Sequence, residues 1–325
     1  MIKIRFICCK KNIPDVENFA ETVKKGIFEI KGFEDEGDEV QWIINKITSL
    51  VSLKVHGDIE GEISYEKIAV LARNKYFFNQ LEAQLVESNL PFYYKMTPGT
   101  IRFESDLMKT FDLGLRVRLN PQDILHKQRL FNRLKIEGNN NPDLKNITSL
   151  ISDQSLKEVI ILVLSLNDDG SNLKRSFENL KDNINIEDEN EKSMIINDIN
   201  EILKHWHNYA SKTDNKSLHQ FKNAMALGQT HPLAQHSGIT LSTVHTMKGQ
   251  EFDIVFIMGM DDETFPDYRA VRNGGIEMTQ EKNNLYVAFT RAKRFLYVTY
   301  PKKRMMPWGD YKMRRLSRFL DVFKV

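Results

Sequence analysis

Apolar residues in the first hundred positions follow two alternating patterns. Asp15–Phe28, Glu39–Val51 and Lys75–Ser88 carry them at helical spacing. Ile68–Leu71 and Phe92–Tyr94 are instead short apolar runs, which are typical of buried strands. Strands that alternate with helices favour a parallel sheet with helices packed against it.

The pattern changes near Glu104 and stays helical to about Leu227. Polar breaks rich in Asn and Asp separate the segments, and no strand pattern interrupts them. The predicted helices are Ser105–Val117, Pro121–Leu134, Gln154–Ser165, Glu191–Ala210 and Lys216–Ala226. We therefore expect an all-helical block here.

Strand and helix patterns alternate again from Gly238. The predicted elements are strands at Ile239–Ser242, Ile254–Met258 and Phe295–Thr299 and a helix at Thr279–Thr290. We predict an α/β fold with two domains. Residues 1–103 plus 237–325 form one sheet domain, and an all-helical domain over residues 104–236 is inserted into it.

Composition adds little to this picture. The chain has 325 residues, 41% of them hydrophobic and 28% charged, as in ordinary globular proteins. No apolar run approaches a membrane span, and Met1–Cys9 is too short for a signal peptide, so we predict no membrane partner. Cys8 and Cys9 lack metal-site spacing and indicate buried residues in a reducing cytoplasm. With a net charge of +2, any nucleic-acid binding must come from local patches.

The segment Thr243–Phe252, TVHTMKGQEF, is rich in chemically active side chains. It follows one predicted strand and precedes another, and α/β proteins place ligands at the carboxyl ends of parallel strands. Hydroxyl and imidazole groups suit phosphate or sugar contacts, and a carboxylate suits a ribose hydroxyl. An ordinary polar surface turn explains the same residues equally well.

Two arginines follow predicted elements elsewhere. Arg291 ends the helix within Glu281–Lys293, EKNNLYVAFTRAK, where its planar, always charged guanidinium could meet a transferred phosphoryl group. The residues alone favour a simpler interpretation, a cation stabilised by the helix dipole. Arg73 emerges just past the strand Ile68–Leu71, a common place for a charge.

In this order, three segments resemble the UvrD/Rep-like superfamily 1 DNA helicases. Ile68–Asn74 looks like motif IV of that family, Thr243–Phe252 like motif V, and Glu281–Lys293 like motif VI. The downstream Ser317–Leu320 is similar to the family's C-terminal end. The resemblance implies a second RecA-like motor domain, called 2A, interrupted by a helical domain called 2B.

The resemblance also implies roles for individual residues at the nucleotide. Arg73 and Arg291 would contact the γ-phosphate, and Glu251 would contact the ribose. Lys248 and Gly249 would shape the loop between the nucleotide and the DNA.

Other residues would contact DNA or support the site. Thr243 and His245 would bind single-stranded DNA and couple it to the nucleotide, and Tyr286 would support the motif VI helix. Phe103 and the aromatic residues of Phe92–Tyr94 are candidates for base stacking, although alternating strand aromatics are more often core residues.

One departure concerns the start of motif VI. The family usually has Glu-Arg-Arg there, whereas this chain has Glu281 followed by Lys282 and Asn283. The missing arginine puts part of the expected network around Glu281 in doubt. Leucine is more usual at the position of Gln250.

The G-x-x-x-x-G-K-[ST] phosphate loop does not occur in the 325 residues. The family carries this loop, together with the Mg²⁺-binding residues, in its first RecA-like domain. We therefore expect half of an ATP-dependent helicase, either a piece of a longer protein or a natural truncation. ATP and Mg²⁺ would bind in the complete helicase and not tightly to this chain.

A non-catalytic module that binds DNA or protein is the alternative, in which the helical insertion would grip duplex DNA or protein partners. Basic residues near the C-terminus could contact phosphates: Lys302, Lys303, Arg304, Lys312, Arg314, Arg315 and Arg318. We favour a solvated face of a C-terminal helix for them. On either hypothesis the partners are single-stranded and duplex DNA, and on the first also an upstream P-loop domain.

Overall fold

The computed structural model describes residues 26–95, 101, 103–136, 143–214, 216–227, 229–230, 237–247 and 250–323. The chain divides into two compact units. The sheet unit is Met1–Met96 with Ala234–Val325, and the helical unit is Thr97–Leu233.

Six parallel strands form the main sheet of the sheet unit. They are β1 (Ile27–Phe33), β2 (Ile68–Ala72), β3 (Phe92–Tyr94), β4 (Ile239–Thr243), β5 (Phe252–Ile257) and β6 (Ala292–Pro301). Their order across the sheet is β1-β6-β5-β2-β4-β3, and every neighbouring pair runs parallel. This arrangement confirms the predicted α/β class.

Both faces of the sheet are covered, which explains why the strands appear as unbroken apolar runs. In β2, Ile68 and Val70 pack into one apolar cluster, and Ala69 and Leu71 pack into the cluster on the other face. The described part of this unit contains the helices α1 (Glu36–Ser52), α2 (Asn79–Glu87), α9 (Tyr268–Asn273) and α10 (Gly275–Phe289). A 3₁₀ turn, Lys75–Phe78, leads directly into α2.

The prediction of a helix over Asp15–Phe28 is wrong at its end. Ile27 and Phe28 belong to β1, which pairs with β6 from Ile27 beside Phe295 onward. Residues 15–25 lie outside the described residues, as do Cys8 and Cys9. The partner strand follows more than 260 residues later, so local spacing could not indicate this strand.

Six α-helices make up the described part of the helical unit. They are α3 (Asp106–Leu119), α4 (Ile124–Arg133), α5 (Gln154–Ser165), α6 (Leu173–Asn183), α7 (Glu189–Ala210) and α8 (Leu218–Ala226). The sequence predicts all of them except α6. That helix is short, and its buried residues Leu173, Phe177 and Leu180 lie between Asn- and Asp-rich stretches that resemble one long loop.

The basic C-terminal segment is not the helix that we favoured from sequence. It forms an antiparallel hairpin, β7 (Lys303–Met305) and β8 (Tyr311–Met313), followed by a 3₁₀ segment, Arg318–Phe323. Most of its cations are paired with carboxylates, so they offer phosphates little free charge. The pairs are Lys302–Glu34, Arg304–Glu36, Arg304–Asp261, Lys312–Glu263, Arg314–Glu263 and Arg318–Asp262.

Glu39 of α1 is a fully buried carboxyl group at the carboxyl ends of β5 and β6. Its Oε1 accepts hydrogen bonds from the Gly259 N–H at 2.9 Å and the Thr299 hydroxyl at 2.6 Å. Loss of hydration raises its pKa from the usual 4.5 to about 7, against the opposing pull of Arg304 and these hydrogen bonds.

Glu39→Gln is expected to remove a pH dependence of stability. Since the folded pKa of Glu39 is the higher one, its protonation favours folding below pH 4.5, and this contribution disappears as the pH rises through 7. The free energy of unfolding of the natural chain should therefore fall relative to the variant by on the order of 3 kcal/mol over that range. Urea unfolding of both proteins at several pH values measures the difference, and parallel profiles would contradict the expectation.

Candidate functional site

The candidate residues lie at two opposite edges of the sheet. Thr243 ends β4 at the carboxyl edge, whereas Phe252 begins β5 at the amino edge. Because both strands run in one direction, the segment between them must cross from one edge to the other. The expectation that all of this segment lies at the carboxyl edge is therefore wrong for Glu251, which stands beside Phe252.

Arg73 lies at the carboxyl edge in a buried ion pair with Glu281 of α10. Its Nε lies 3.1 and 3.0 Å from the two carboxylate oxygens, and a terminal nitrogen lies 2.9 Å from Oε1. The other terminal nitrogen donates to the Asn74 side-chain oxygen at 3.0 Å. Only 8% of Arg73 is exposed. A guanidinium neutralised in this way is poorly placed to bind a phosphate.

Glu281 keeps a network in spite of the Lys282 and Asn283 that follow it. Besides Arg73, it accepts hydrogen bonds from the Asp267 N–H at 3.1 Å and the Asn284 side chain at 3.2 Å. The sequence offered no signal for Asp267, because its contact joins the start of α9 to the middle of α10. Tyr286 is 71% exposed on the same helix, so the supporting role expected for it has no basis in this unit's packing.

The turn after β4 is ordered by hydroxyl groups. The Thr246 hydroxyl lies 2.6 Å from the Ser242 hydroxyl and 3.2 Å from that of Thr243, and its N–H donates to the Thr243 carbonyl at 3.0 Å. His245 is half-buried within this turn, and the buried Val244 and Met247 flank it. Lys248 and Gly249 lie outside the described residues.

Arg291 lies at the amino edge, just past the end of α10. Its guanidinium donates to the Val287 carbonyl at 3.0 Å, the Gln250 carbonyl at 2.9 Å and the Thr290 hydroxyl at 3.1 Å. All three acceptors are neutral, and no carboxylate among the described residues forms an ion pair with it. Its position just past the end of α10 is compatible with both interpretations, a helix-end cation and a phosphate-binding arginine. Arg291 also bridges to the chain beside Glu251.

An open cleft of about 490 Å³ adjoins this bridge. Exposed Glu251 lines it, together with Lys67 and Lys293. The backbone carbonyl of Arg291 accepts from the Phe252 N–H at 2.8 Å, which joins β5 to the end of α10. Glu66 and Asp253 also line the cleft, and Asp253 lies 3.9 Å from the Lys67 amine. Three carboxylates and two amines therefore lie at the amino edge, and the guanidinium of Arg291 lies beside them at the Gln250 carbonyl.

The proposed stacking residues are not free aromatic surfaces. Phe103 is 6% exposed and packs in the core of the helical unit, so the stacking role predicted for it is corrected. Phe92 and Tyr94 are half-buried against the sheet core. The Tyr93 hydroxyl accepts from Thr240 at 2.8 Å, and the Tyr94 hydroxyl donates to Glu82 at 2.8 Å.

No helix in the described ranges is both long and apolar enough to cross a membrane. The same ranges contain no cluster of three or more His, Cys, Asp or Glu side chains suited to a metal ion.

The sequence that forms this sheet and the helical unit matches a known family. Residues 3–303 match the UvrD-like helicase C-terminal domain, and the chain belongs to that family.

Curated relatives agree with this assignment. The chain is 27% identical over 318 residues to the ATP-dependent DNA helicase PcrA of Staphylococcus aureus (strain MRSA252). It is 26% identical over 318 residues to the protein of that name from Staphylococcus epidermidis (strain ATCC 12228 / FDA PCI 1200). In both cases 88% of the chain is covered, and it spans 42% of the relative's length.

Proposed function

We propose that this chain is the C-terminal part of an ATP-dependent DNA helicase and supplies one wall of its ATP site. The sheet unit is the 2A motor domain, and the helical unit is the 2B domain. The observation that carries the proposal is the state of Arg291, a fixed cation that pairs with no carboxylate in the part of the chain that the structure describes. An arginine in this state can stabilise the charge that develops on a transferred γ-phosphate.

The other site residues take the roles that fit their positions. Glu251 is exposed at the same edge as Arg291 and contacts the ribose. Thr243 and His245, in the ordered turn at the carboxyl edge, contact single-stranded DNA. Lys248 and Gly249 lie in the segment that joins the two edges, so movement at the DNA can reach the nucleotide. Arg73 is left out of the phosphate contacts because Glu281 already neutralises it.

The nucleotide needs a second wall. Its phosphates and Mg²⁺ require a phosphate loop and an acidic metal site, and the 325 residues contain no such loop. A P-loop RecA-like domain is therefore the obligatory partner. One wall alone cannot position the metal or the attacking water.

The isolated 325-residue chain is expected not to hydrolyse ATP, whether or not single-stranded DNA is present. A protein that joins this chain to a P-loop domain of a close relative should hydrolyse ATP and respond to DNA. Phosphate release measures both, and a P-loop Lys→Ala variant of the joined protein is the control. DNA-stimulated hydrolysis by the isolated chain would contradict the need for a second wall.

The alternative of a non-catalytic DNA-binding module has less support. Its phosphate contacts were expected from the basic C-terminal segment, where most cations are engaged in ion pairs. DNA affinity of the isolated chain that falls steeply with salt and ignores nucleotide would revive it.

A further inference from the structure

Helix α10 is held to the sheet unit in an unusual way. In this fully described helix of 15 residues, Glu281 and Ala288 are the buried side chains. A surface helix normally buries a broader apolar stripe. Its first residue follows Gly274, which offers no capping side chain. The main anchor in the first half of α10 is therefore a carboxylate.

That carboxylate is held by the strand end that carries Arg73. Arg73 is the first residue after β2, a strand with all five residues buried. The pair thus joins α10 to a strand that is buried along its whole length. Arginine suits this role because its planar fork binds both carboxylate oxygens and fixes their orientation.

The far end of α10 carries Arg291. Arg291 follows Glu281 by ten positions. Ten positions correspond to about 15 Å along a helix axis. Because Arg291 is hydrogen-bonded to Val287 of that helix and to the Gln250 carbonyl, a tilt of α10 would displace it from Gln250, which lines the cleft. Glu281, which anchors α10, and Arg291, which follows its end, are therefore expected to move together with the helix.

We propose that Arg73 is a positioning residue: through its ion pair with Glu281 it aligns α10 and so places Arg291 toward the nucleotide. This inference rests on the proposed function of Arg291. Arg73 then acts on the nucleotide through α10 and Arg291, and not by the direct γ-phosphate contact predicted from sequence.

A double-mutant cycle in the joined protein with a P-loop domain tests this inference. Arg73→Gln and Glu281→Gln should each lower kcat for ATP by up to ~10²-fold, since a 1 Å misplacement of a catalytic group can cost that much. The KM for ATP should change little. The double variant should cost no more than the larger single change, because both changes break one contact.

A direct phosphate contact by Arg73 gives a different pattern. Glu281→Gln would then free the guanidinium and leave kcat unchanged or raised, while Arg73→Gln would raise KM. That pattern, or costs that multiply in the double variant, would overturn the inference. Arg73→Lys keeps the charge but loses the planar fork of the guanidinium. Its kcat should therefore lie between those of the natural protein and Arg73→Gln.

Folding and function can be separated. Circular dichroism of each variant of the 325-residue chain reports folding, and if Arg73→Gln does not fold, Arg73→Lys with Glu281→Asp carries the cycle. If the unmodified joined protein does not hydrolyse ATP, the proposed function fails. If it does, and the two residues show no coupling, only the positioning role fails.

Discussion

Arg291→Ala is expected to lower ATP turnover about 10³-fold or more in the joined protein, while leaving its fold intact. Within the described ranges the guanidinium donates to neutral acceptors, so its charge is available to the transition state. Its loss removes stabilisation that develops during phosphoryl transfer, and kcat should fall more than the affinity for ATP. Steady-state phosphate release and nucleotide binding, measured side by side, separate the two effects.

Arg294→Ala provides a matched control. Arg294 lies three residues after Arg291, within β6, and is also half-buried. Its side chain has no hydrogen bond or ion pair among the described contacts. Its turnover should stay close to that of the natural sequence. Normal turnover by Arg291→Ala would return Arg291 to the role of a helix-end cation. A loss of secondary structure in that variant would show that its bonds to Val287 and Gln250 hold the edge together.

Arg304→Gln is expected to destabilise the sheet unit by about 3–5 kcal/mol, the usual cost of removing one partner from a buried ion pair. Arg304 is 6% exposed, and one of its terminal nitrogens lies 2.6 Å from Asp261, which is fully buried. The other terminal nitrogen pairs with Glu36, and the guanidinium lies 4.4 Å from the Phe77 ring centroid. Glutamine would leave the Asp261 charge buried without its main counter-charge.

Lys302→Gln is the control for this change. Lys302 is two residues away and pairs with Glu34, but both side chains are largely exposed, so the denaturation midpoint should not shift measurably. Urea unfolding monitored together with hydrogen exchange in β5 and β6 assigns any loss to the sheet unit. Equal midpoints for the two variants would show that the Arg304 pairs contribute no more than surface ion pairs.

Local patterns were sufficient for most of the elements. The helix predicted at Gln154–Ser165 and the strand predicted at Phe92–Tyr94 match α5 and β3. The helical spacing of α5 and the short apolar run of β3 each depend on a few neighbouring residues. β1 was missed because its pairing partner is distant in the chain. The hairpin was missed because lysines and arginines obscure the alternation of apolar and polar residues.

The candidate site divides in the same way. The chemistry of the residues left Glu251 and Arg291 open to simpler interpretations, and the resemblance to motifs V and VI selected them as candidates. Whether a chosen arginine is free depends on which charge the fold places beside it, and that is decided by residues far apart in the chain. Arg73 and Glu281 are 208 positions apart, and no local pattern predicts their pairing.

Sequence alone therefore established the α/β class, the helical insertion and the family resemblance, because these depend on short-range spacing and on motifs. The tertiary structure decided which groups surround the two arginines of motifs IV and VI. It placed Arg73 in a buried ion pair at the carboxyl edge and Arg291 at the amino edge without a carboxylate partner among the described residues. Strand direction and the cost of burying an unpaired charge are the physical reasons for that difference.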